Sequence, residues 1–231
     1  MNKYAVITAK NEEDTIRDVV DQLVADGWQV VVINDGSTDD TAWNALTAGA
    51  QVVHQYPSQG IGKSLLRAWK HAYDNGADYI VQLDAGGSHC PEQALELLSV
   101  LIMADAELVI GSRFTESGGF GIAPKKAEYI GRKWRALASM LAAVMLNFAA
   151  HQHISDWTSG YRCFSRRAIE ELLSFNYYQS MHAWQIEVLG KAIERDFYIV
   201  ETPITYTAGR SSLRLKGVSD AVLEWLCLFN R

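Results

Sequence analysis

Basic residues, cysteines and long apolar runs are all scarce in this sequence, and each shortage closes a class of function. Lys and Arg number 21 against 27 Asp and Glu, a formal net charge of −6. A general nucleic-acid binder would carry a basic surplus, so no nucleic-acid partner is expected, although a local basic patch can still meet a phosphate. The three cysteines, Cys90, Cys163 and Cys227, are odd in number and form no Cys-x-x-Cys pair. A disulfide framework and a zinc site are therefore both unexpected, and a reduced, cytoplasmic chain is the simplest reading. The N-terminus, Met1 to Ile7, has no apolar stretch of signal-peptide length. The longest apolar candidate, Ala136 to Ala150, falls short of the roughly 20 residues that cross a bilayer. The expectation is a protein that is soluble or lies on a membrane surface. No repeat, low-complexity tract or interdomain linker breaks the chain, so residues 1–231 read as a single domain.

What is present is a large apolar fraction, 48%, enough for a sizeable core, arranged in alternating patterns. Residues 3–8 read as a buried strand. Glu12 to Asp26 reads as a helix, with Ile16, Val19, Val20 and Leu23 on one face and Gly27 as its stop. Gln29 to Ile33 is a second strand, near-continuously apolar as parallel strands tend to be, with a helix from about Asp39. A third strand at Gln51 to His54, a helix ending at Asn75-Gly76 and a fourth strand at Tyr79 to Leu83 follow. A helix from Pro91 to Met103 and a strand at Glu107 to Gly111 complete this half. Such alternation predicts an α/β fold, a mostly parallel sheet with helices on both faces, whose ligands bind beyond the carboxyl ends of the strands. Asp35 and Asp84 fall at those ends.

The second half is less regular. Residues 115–124 are Gly-rich and read as a mobile loop. From Lys126 to about Ala150 a helix is expected, with a basic start (Lys125, Lys126, Arg132, Lys133, Arg135) and an apolar continuation (Leu137, Met140, Leu141, Val144, Met145, Leu146, Phe148). That stripe reads as core or as a surface-lying membrane helix near 125–150. A turn at Asp156 to Gly160 leads to a short strand at Tyr161 to Phe164. Helices are expected near 166–174, 182–195 and 218–229, with strand pieces at 197–201 and 204–207.

Four segments carry chemistry. Asn11-Glu12-Glu13-Asp14 before an apolar run is, on its own, a helix N-terminus with acids favoured by the dipole. Asn34-Asp35-Gly36-Ser37 is a turn with a helix cap at Ser37 or Asp39, but its place at a strand end favours a binding role for Asp35. Asp84-Ala85-Gly86-Gly87-Ser88-His89 follows the fourth strand, with His89 either beside the acid or simply starting the next helix. Asp156-Trp157-Thr158-Ser159-Gly160-Tyr161-Arg162 is the fourth. Gly60-Ile61-Gly62-Lys63-Ser64 approximates a P-loop but has Pro57 where that motif needs Gly.

In this order the segments resemble the inverting glycosyltransferases of family 2, and especially the dolichyl-phosphate mannose synthase-like branch, over about residues 4 to 226. The resemblance implies a Rossmann-like GT-A fold, with residues 1–113 as the nucleotide-sugar-binding half and 114–231 as the acceptor side. It implies a nucleoside-diphosphate sugar donor bound by Ala9, Asn11, Glu12, Ile33, Asp35, Lys63, Asp84, Ala85, Arg113, Gln185, Arg210 and Arg214. Asp35 would accept hydrogen bonds from the nucleobase, which presents N–H donors. A divalent cation, Mg²⁺ or Mn²⁺, would sit on Asp84 with Ser88 or His89 near it. The family's second acid of this pair is Gly86 here, so one of the usual carboxylates is missing. Arg113 of Gly111-Ser112-Arg113 would face the donor phosphates, a task suited to a guanidinium. The family's basic Gly-x-Ser-Lys-Leu loop has Ser212 in place of Lys, leaving Arg210 or Arg214 to serve.

Three readings compete. The first is transfer to a polyprenyl phosphate, an acceptor already anionic near neutral pH, by a peripheral protein on the cytoplasmic membrane face. The second is transfer to a sugar hydroxyl of a glycan or glycolipid, which needs a carboxylate to take the proton: Asp156 first, Glu187 second. The third, prompted by Gly86, is a sugar-nucleotide-binding subunit with weakened catalysis.

Overall fold

The computed structural model describes residues 1–115, 128–130, 133–177 and 184–207. Seven strands form the main sheet: β1 (Lys3–Ala9), β2 (Gln29–Asn34), β3 (Gln51–His54), β4 (Tyr79–Asp84), β5 (Leu108–Ser112), β7 (Arg162–Ser165) and β8 (Ile199–Pro203). Their spatial order is β3-β2-β1-β4-β7-β5-β8. All neighbours are parallel except around β7, which runs antiparallel to both β4 and β5. A two-stranded ladder pairs β6 (Glu128–Ile130) with β9 (Thr205–Thr207).

Alternation along each strand divides the core in two, because successive side chains leave a strand on opposite faces. Val30 and Val32 of β2 face one cluster, with Ile16, Val19, Val20 and Leu23 of α1 (Ile16–Ala25), Ala45 of α2 (Thr41–Thr47) and Leu97, Leu98 and Leu101 of α4 (Ala94–Ala104). Val31 and Ile33 face the other, with α3 (Ile61–Asp74), α5 (Lys133–Ala150), α6 (Arg166–Leu173) and α7 (Trp184–Glu194). There Trp69 meets Phe164 edge-on at 4.9 Å and Trp184 at 5.5 Å. These tryptophans are core, as aromatic side chains with this much area to bury tend to be.

Three expected boundaries move. The first helix begins at Ile16, not Glu12, because Asn11 adopts φ 56° and the chain turns before the helix can start. The helix expected from Lys126 gives way at 128–130 to β6, whose Glu-Tyr-Ile sequence pairs with β9; α5 begins at Lys133. The helix expected at Pro91 opens as a 3-10 turn, Pro91–Gln93, and becomes α-helical at Ala94. The loop from residue 116, Lys125, Lys126, Arg132, residues 182–183, Arg210, Arg214 and the helix expected near 218–229 lie outside the described residues. Along α5, Ala143, Leu146 and Ala150 face the core, while Met140, Leu141, Val144, Met145 and Phe148 are exposed, Phe148 to 85%.

Candidate functional site

The register of the sheet assembles the site. Thr8 of β1 pairs with Ile33 of β2 on one side and Asp84 of β4 on the other, so the loops after these three parallel strands emerge together. Asn34 Oδ1 accepts from Ser37 N at 2.9 Å, closing the turn through Gly36, whose φ of 79° suits glycine. Asn11 stitches the first loop to the second: its N–H donates to Ser37 Oγ at 3.1 Å and its Oδ1 accepts from Thr38 N at 2.9 Å.

Asp35 is buried, with 7% exposure, and has four hydrogen bonds. Gln55 Nε2 (2.8 Å) and Gln59 N (2.9 Å) donate to Oδ1; Ser58 Oγ (2.7 Å) and Gly60 N (3.2 Å) donate to Oδ2. A carboxylate has about four acceptor positions, so the segment 55–60 fills them all. Burial pushes the carboxyl upward, and the four donors outweigh it, leaving the group below its ordinary value.

Asp84 ends β4. Its Oδ1 is enclosed and lies 2.5 Å from His89 Nδ1, while the side chain as a whole keeps 42% exposure, so Oδ2 is the open oxygen. Burial raises this carboxyl; the contact with His89, its charge and that of Arg113 prevail and lower it. His89 does not start a helix, since Cys90 precedes the 3-10 turn. It is buried between the rings of Tyr161 (4.8 Å) and Tyr206 (5.4 Å) and bridges in backbone to Tyr206. It orients Asp84.

A second group of residues is built on an ion pair. Arg113, just past β5, donates from Nε to Asp156 Oδ2 and from Nη2 to Asp156 Oδ1, both at 2.7 Å, and from its backbone N to Oδ2 at 3.0 Å. Arg113 Nη2 also donates to Thr158 Oγ1 at 2.6 Å. Side-chain exposure is 11% for Arg113 and nil for Asp156. Burial raises the Asp156 carboxyl, and the Arg113 charge and hydrogen bonds more than reverse this. Beneath it, Glu201 accepts from Ser155 N at 2.8 Å and Asp156 N at 2.9 Å, and burial pushes its own carboxyl up. Gly111 admits no side chain: a β-carbon there would stand 2.9 Å from Ile204 Cγ2 and 3.2 Å from the Tyr161 carbonyl oxygen. Arg162 is wholly buried, donating to Gln185 O at 2.9 Å and Trp157 O at 3.0 Å, and burial draws it down to about 9. Gln82 Nε2 reaches Gly160 O at 3.0 Å and Gln185 Oε1 at 3.4 Å. Glu187, one turn or less along α7, is buried.

Not every expected contact reaches the site as a side chain. Ile33 has no exposure and packs in the core, so its side chain cannot meet a nucleotide. Ala9 and Ala85 are buried too, and their carbonyl oxygens accept from Asp35 N (2.9 Å) and Thr15 Oγ1 (2.8 Å). Lys63 is exposed on the first turn of α3. Ser88 is buried beside Asp84, and its carbonyl accepts from Thr207 N. Among the described residues no three His, Cys, Asp or Glu side chains group to hold a metal. The sequence reading passed over Gln55, Thr15 and Glu201. A lone acid inside the apolar run Ile199-Val200-Glu201 was a signal for the last of these; nothing local marks the first two.

Comparison with known proteins identifies the family. The family model for Glycosyl transferase family 2 matches residues 4–173. Polyprenol monophosphomannose synthase of Mycolicibacterium smegmatis is 30% identical over 209 residues, 85% of this chain and 75% of that protein. Undecaprenyl-phosphate mannosyltransferase of Micrococcus luteus is 29% identical over 203 residues, 84% of this chain and 79% of the relative. The crystal structure of glucosyl-3-phosphoglycerate synthase from Mycobacterium tuberculosis with Mn²⁺, UDP and phosphoglyceric acid superposes with a TM-score of 0.71 at 21% identity, covering 97% of this chain and 76% of that one. That last likeness is one of fold, the GT-A architecture. The chain belongs to glycosyl transferase family 2, in its dolichyl-phosphate mannose synthase-like branch, and is a glycosyltransferase.

Proposed function

We propose that this enzyme transfers a sugar, with inversion, from a nucleoside-diphosphate sugar to a polyprenyl phosphate, working peripherally at the cytoplasmic face of a membrane. The observation that carries the reading is the Arg113–Asp156 pair. The carboxylate best placed to take a proton on the acceptor side is bound bidentately to a guanidinium and held below its ordinary value. It is a poor base, which suits an acceptor that arrives without a proton to lose. The acceptor's phosphate oxygen bonds to the anomeric carbon as the bond from that carbon to the diphosphate breaks, and the electron pair leaves with the nucleoside diphosphate. Arg113 supplies positive charge beside the departing group.

The two relatives' names specify polyprenyl acceptors. For the lipid chain, the reading is supported by a groove in which Phe114, next to Arg113 in sequence, lies with Met140, Ala143, Val144 and Ile154, and with Asn147, His153 and Ser155 as its polar members. No helix among the described residues is long and apolar enough to cross a membrane, and an apolar helix face on a basic approach suits surface attachment.

For the donor, Asp35 offers a carboxylate whose present partners are all neutral groups that base N–H donors can replace. For the cation, the open Oδ2 of Asp84 is the hard oxygen that Mg²⁺ or Mn²⁺ prefers. The residues present fit such an ion, which would neutralise charge on the diphosphate. The experiment is transfer of radiolabel from GDP- and UDP-sugars, with extraction into organic solvent. Label in the organic phase that depends on added polyprenyl phosphate supports the proposal. Label confined to a water-soluble glycan would favour the hydroxyl acceptor, with Asp156 or Glu187 as base. Tight donor binding with no product would favour the binding-subunit reading.

A further inference from the structure

Gly86 leaves the site one acid short of the family pattern, and the structure shows what stands in the space. A β-carbon built on Gly86 would lie 3.5 Å from Glu12 Oε2, 3.6 Å from Glu12 Oε1 and 3.7 Å from Glu12 Cδ, its three nearest neighbours. The carboxyl group of another loop thus lies in contact with the point from which a side chain at residue 86 would start. The fold dictates this meeting. Glu12 follows β1 and Gly86 follows β4, adjacent strands in register at Thr8 and Asp84. The left-handed backbone of Asn11, with φ 56°, turns the chain, and Glu12 N donates to Thr41 Oγ1 at 2.8 Å. Thr15 then fastens the two loops: its Oγ1 donates to Ala85 O at 2.8 Å and lies 3.5 Å from Glu12 Oε2.

We infer that Glu12 supplies the second carboxylate of the cation–diphosphate site, replacing in space the acid that is missing at position 86. This rests on the nucleotide-sugar reading and adds to it a ligand role for a residue of a different loop. With Asp84 alone the protein offers the cation one formal negative charge; with Glu12 it offers two. Mg²⁺ and Mn²⁺ sites of this kind use one or two carboxylates, with substrate phosphates and water completing the shell. The arrangement also explains why glycine is suited to position 86. An acid there would face Glu12 at contact distance, and like charges so close disfavour each other's ionised form. Backbone strain is not the reason, since the positive-φ glycines are Gly27, Gly36, Gly49, Gly60, Gly76 and Gly87.

The acid can therefore be moved from one loop to the other. Four proteins decide the matter: wild type, Glu12→Gln, Gly86→Asp and the double variant. Mn²⁺ binding is read from the electron paramagnetic resonance signal of free Mn²⁺, with GDP in one arm and UDP in another. Nucleotide affinity is measured separately in chelator. Glu12→Gln should weaken Mn²⁺ binding by about tenfold or more, a loss clearly larger than any it causes in nucleotide affinity measured in chelator. Gly86→Asp added to Glu12→Gln should restore Mn²⁺ binding, and this recovery also answers any concern that Glu12→Gln merely misfolds. Wild-type Mn²⁺ affinity in Glu12→Gln, an equal loss with and without cation, or no recovery in the double variant would each overturn the inference while leaving nucleotide binding intact. A wild-type protein that binds neither nucleotide in any condition would overturn the donor reading itself.

Discussion

Asp35, at the end of β2, and Asp156, in the loop between α5 and β7, are both buried carboxylates with their oxygens occupied, but their partners differ in kind. Asp35 is held by neutral donors, Gln55, Ser58 and the amides of Gln59 and Gly60, from one neighbouring segment. Asp156 is held by a guanidinium through two 2.7 Å bonds, with the loop beneath it pinned by Glu201. Neutral hydrogen bonds exchange at little net cost, whereas separating a buried ion pair leaves a charge uncompensated. The surroundings of Asp35 are thus built for partner exchange, and those of Asp156 for permanence.

The sharpest way to break this contrast is to remove charge from the permanent end. Asp156→Asn should destabilise the fold by about 3–5 kcal/mol, the range for breaking a buried pair, and abolish transfer. Urea unfolding and a radiolabel assay read the two effects. A variant within about 1 kcal/mol of wild type would show that the pair is not the anchor described here. Acid adds a second handle. The folded value of Asp156 lies below the unfolded one, so its contribution is complete above the ordinary carboxylate value of about 3.9. It is lost as pH falls through the folded value. Stability of the wild type should therefore decline in strong acid more steeply than that of Asp156→Asn, as followed by circular dichroism.

At the donor end the effects should be on ligands more than on the fold. Asp84→Asn removes the half-exposed carboxylate that His89 orients, and transfer should fall by about 100-fold or more with the melting temperature nearly unchanged. Full activity in this variant would take Asp84 out of the site. Asp35→Ala should weaken nucleotide binding by about 1–3 kcal/mol, measured by calorimetry with GDP and UDP. Were the loss equally large in stability and absent in binding, Asp35 would be only the clamp of segment 55–60.

What could be read from the sequence was whatever depends on neighbours along the chain. Val30 to Ile33 announces a parallel strand, and Ile16, Val19, Val20 and Leu23 announce the buried stripe of α1, because burial follows local periodicity. Asp35 and Asp84 could be placed at strand ends for the same reason. The direction of β7 could not, since nothing in Arg162 to Ser165 distinguishes an antiparallel insertion between β4 and β5 from one more parallel strand. β6 was hidden because three residues, Glu128 to Ile130, owe their strand form to Thr205 to Thr207. Contacts between distant segments were equally silent. Arg113 meets Asp156 across 43 positions, and the carboxyl of Glu12 lies against Gly86 only because β1 and β4 are neighbours in space.

The smallest expected effect concerns α5. Its inward face is spent on the core through Ala143, Leu146 and Ala150, so Met140, Leu141, Val144, Met145 and Phe148 are left to solvent. These five recur at i, i+1, i+4, i+5 and i+8, one continuous stripe of the helix. Phe148, 85% exposed, adds little to the folded state, and its replacement should change stability by no more than about 0.5 kcal/mol. If the stripe rests in a bilayer surface, the same side chain loses contact with water there, and partial burial of an aromatic is worth about 1 kcal/mol or somewhat more. Phe148→Ser should then lower cosedimentation with anionic vesicles by about fivefold. Transfer to a polyprenyl phosphate presented in those vesicles should fall with it, while transfer to a short-chain, detergent-dispersed acceptor stays at the wild-type rate. Raising the salt should weaken vesicle binding of both proteins, since anionic lipid is drawn partly by charge. Equal vesicle binding by wild type and Phe148→Ser at low salt would assign the stripe to some other use and detach the groove beside Phe114 from the membrane.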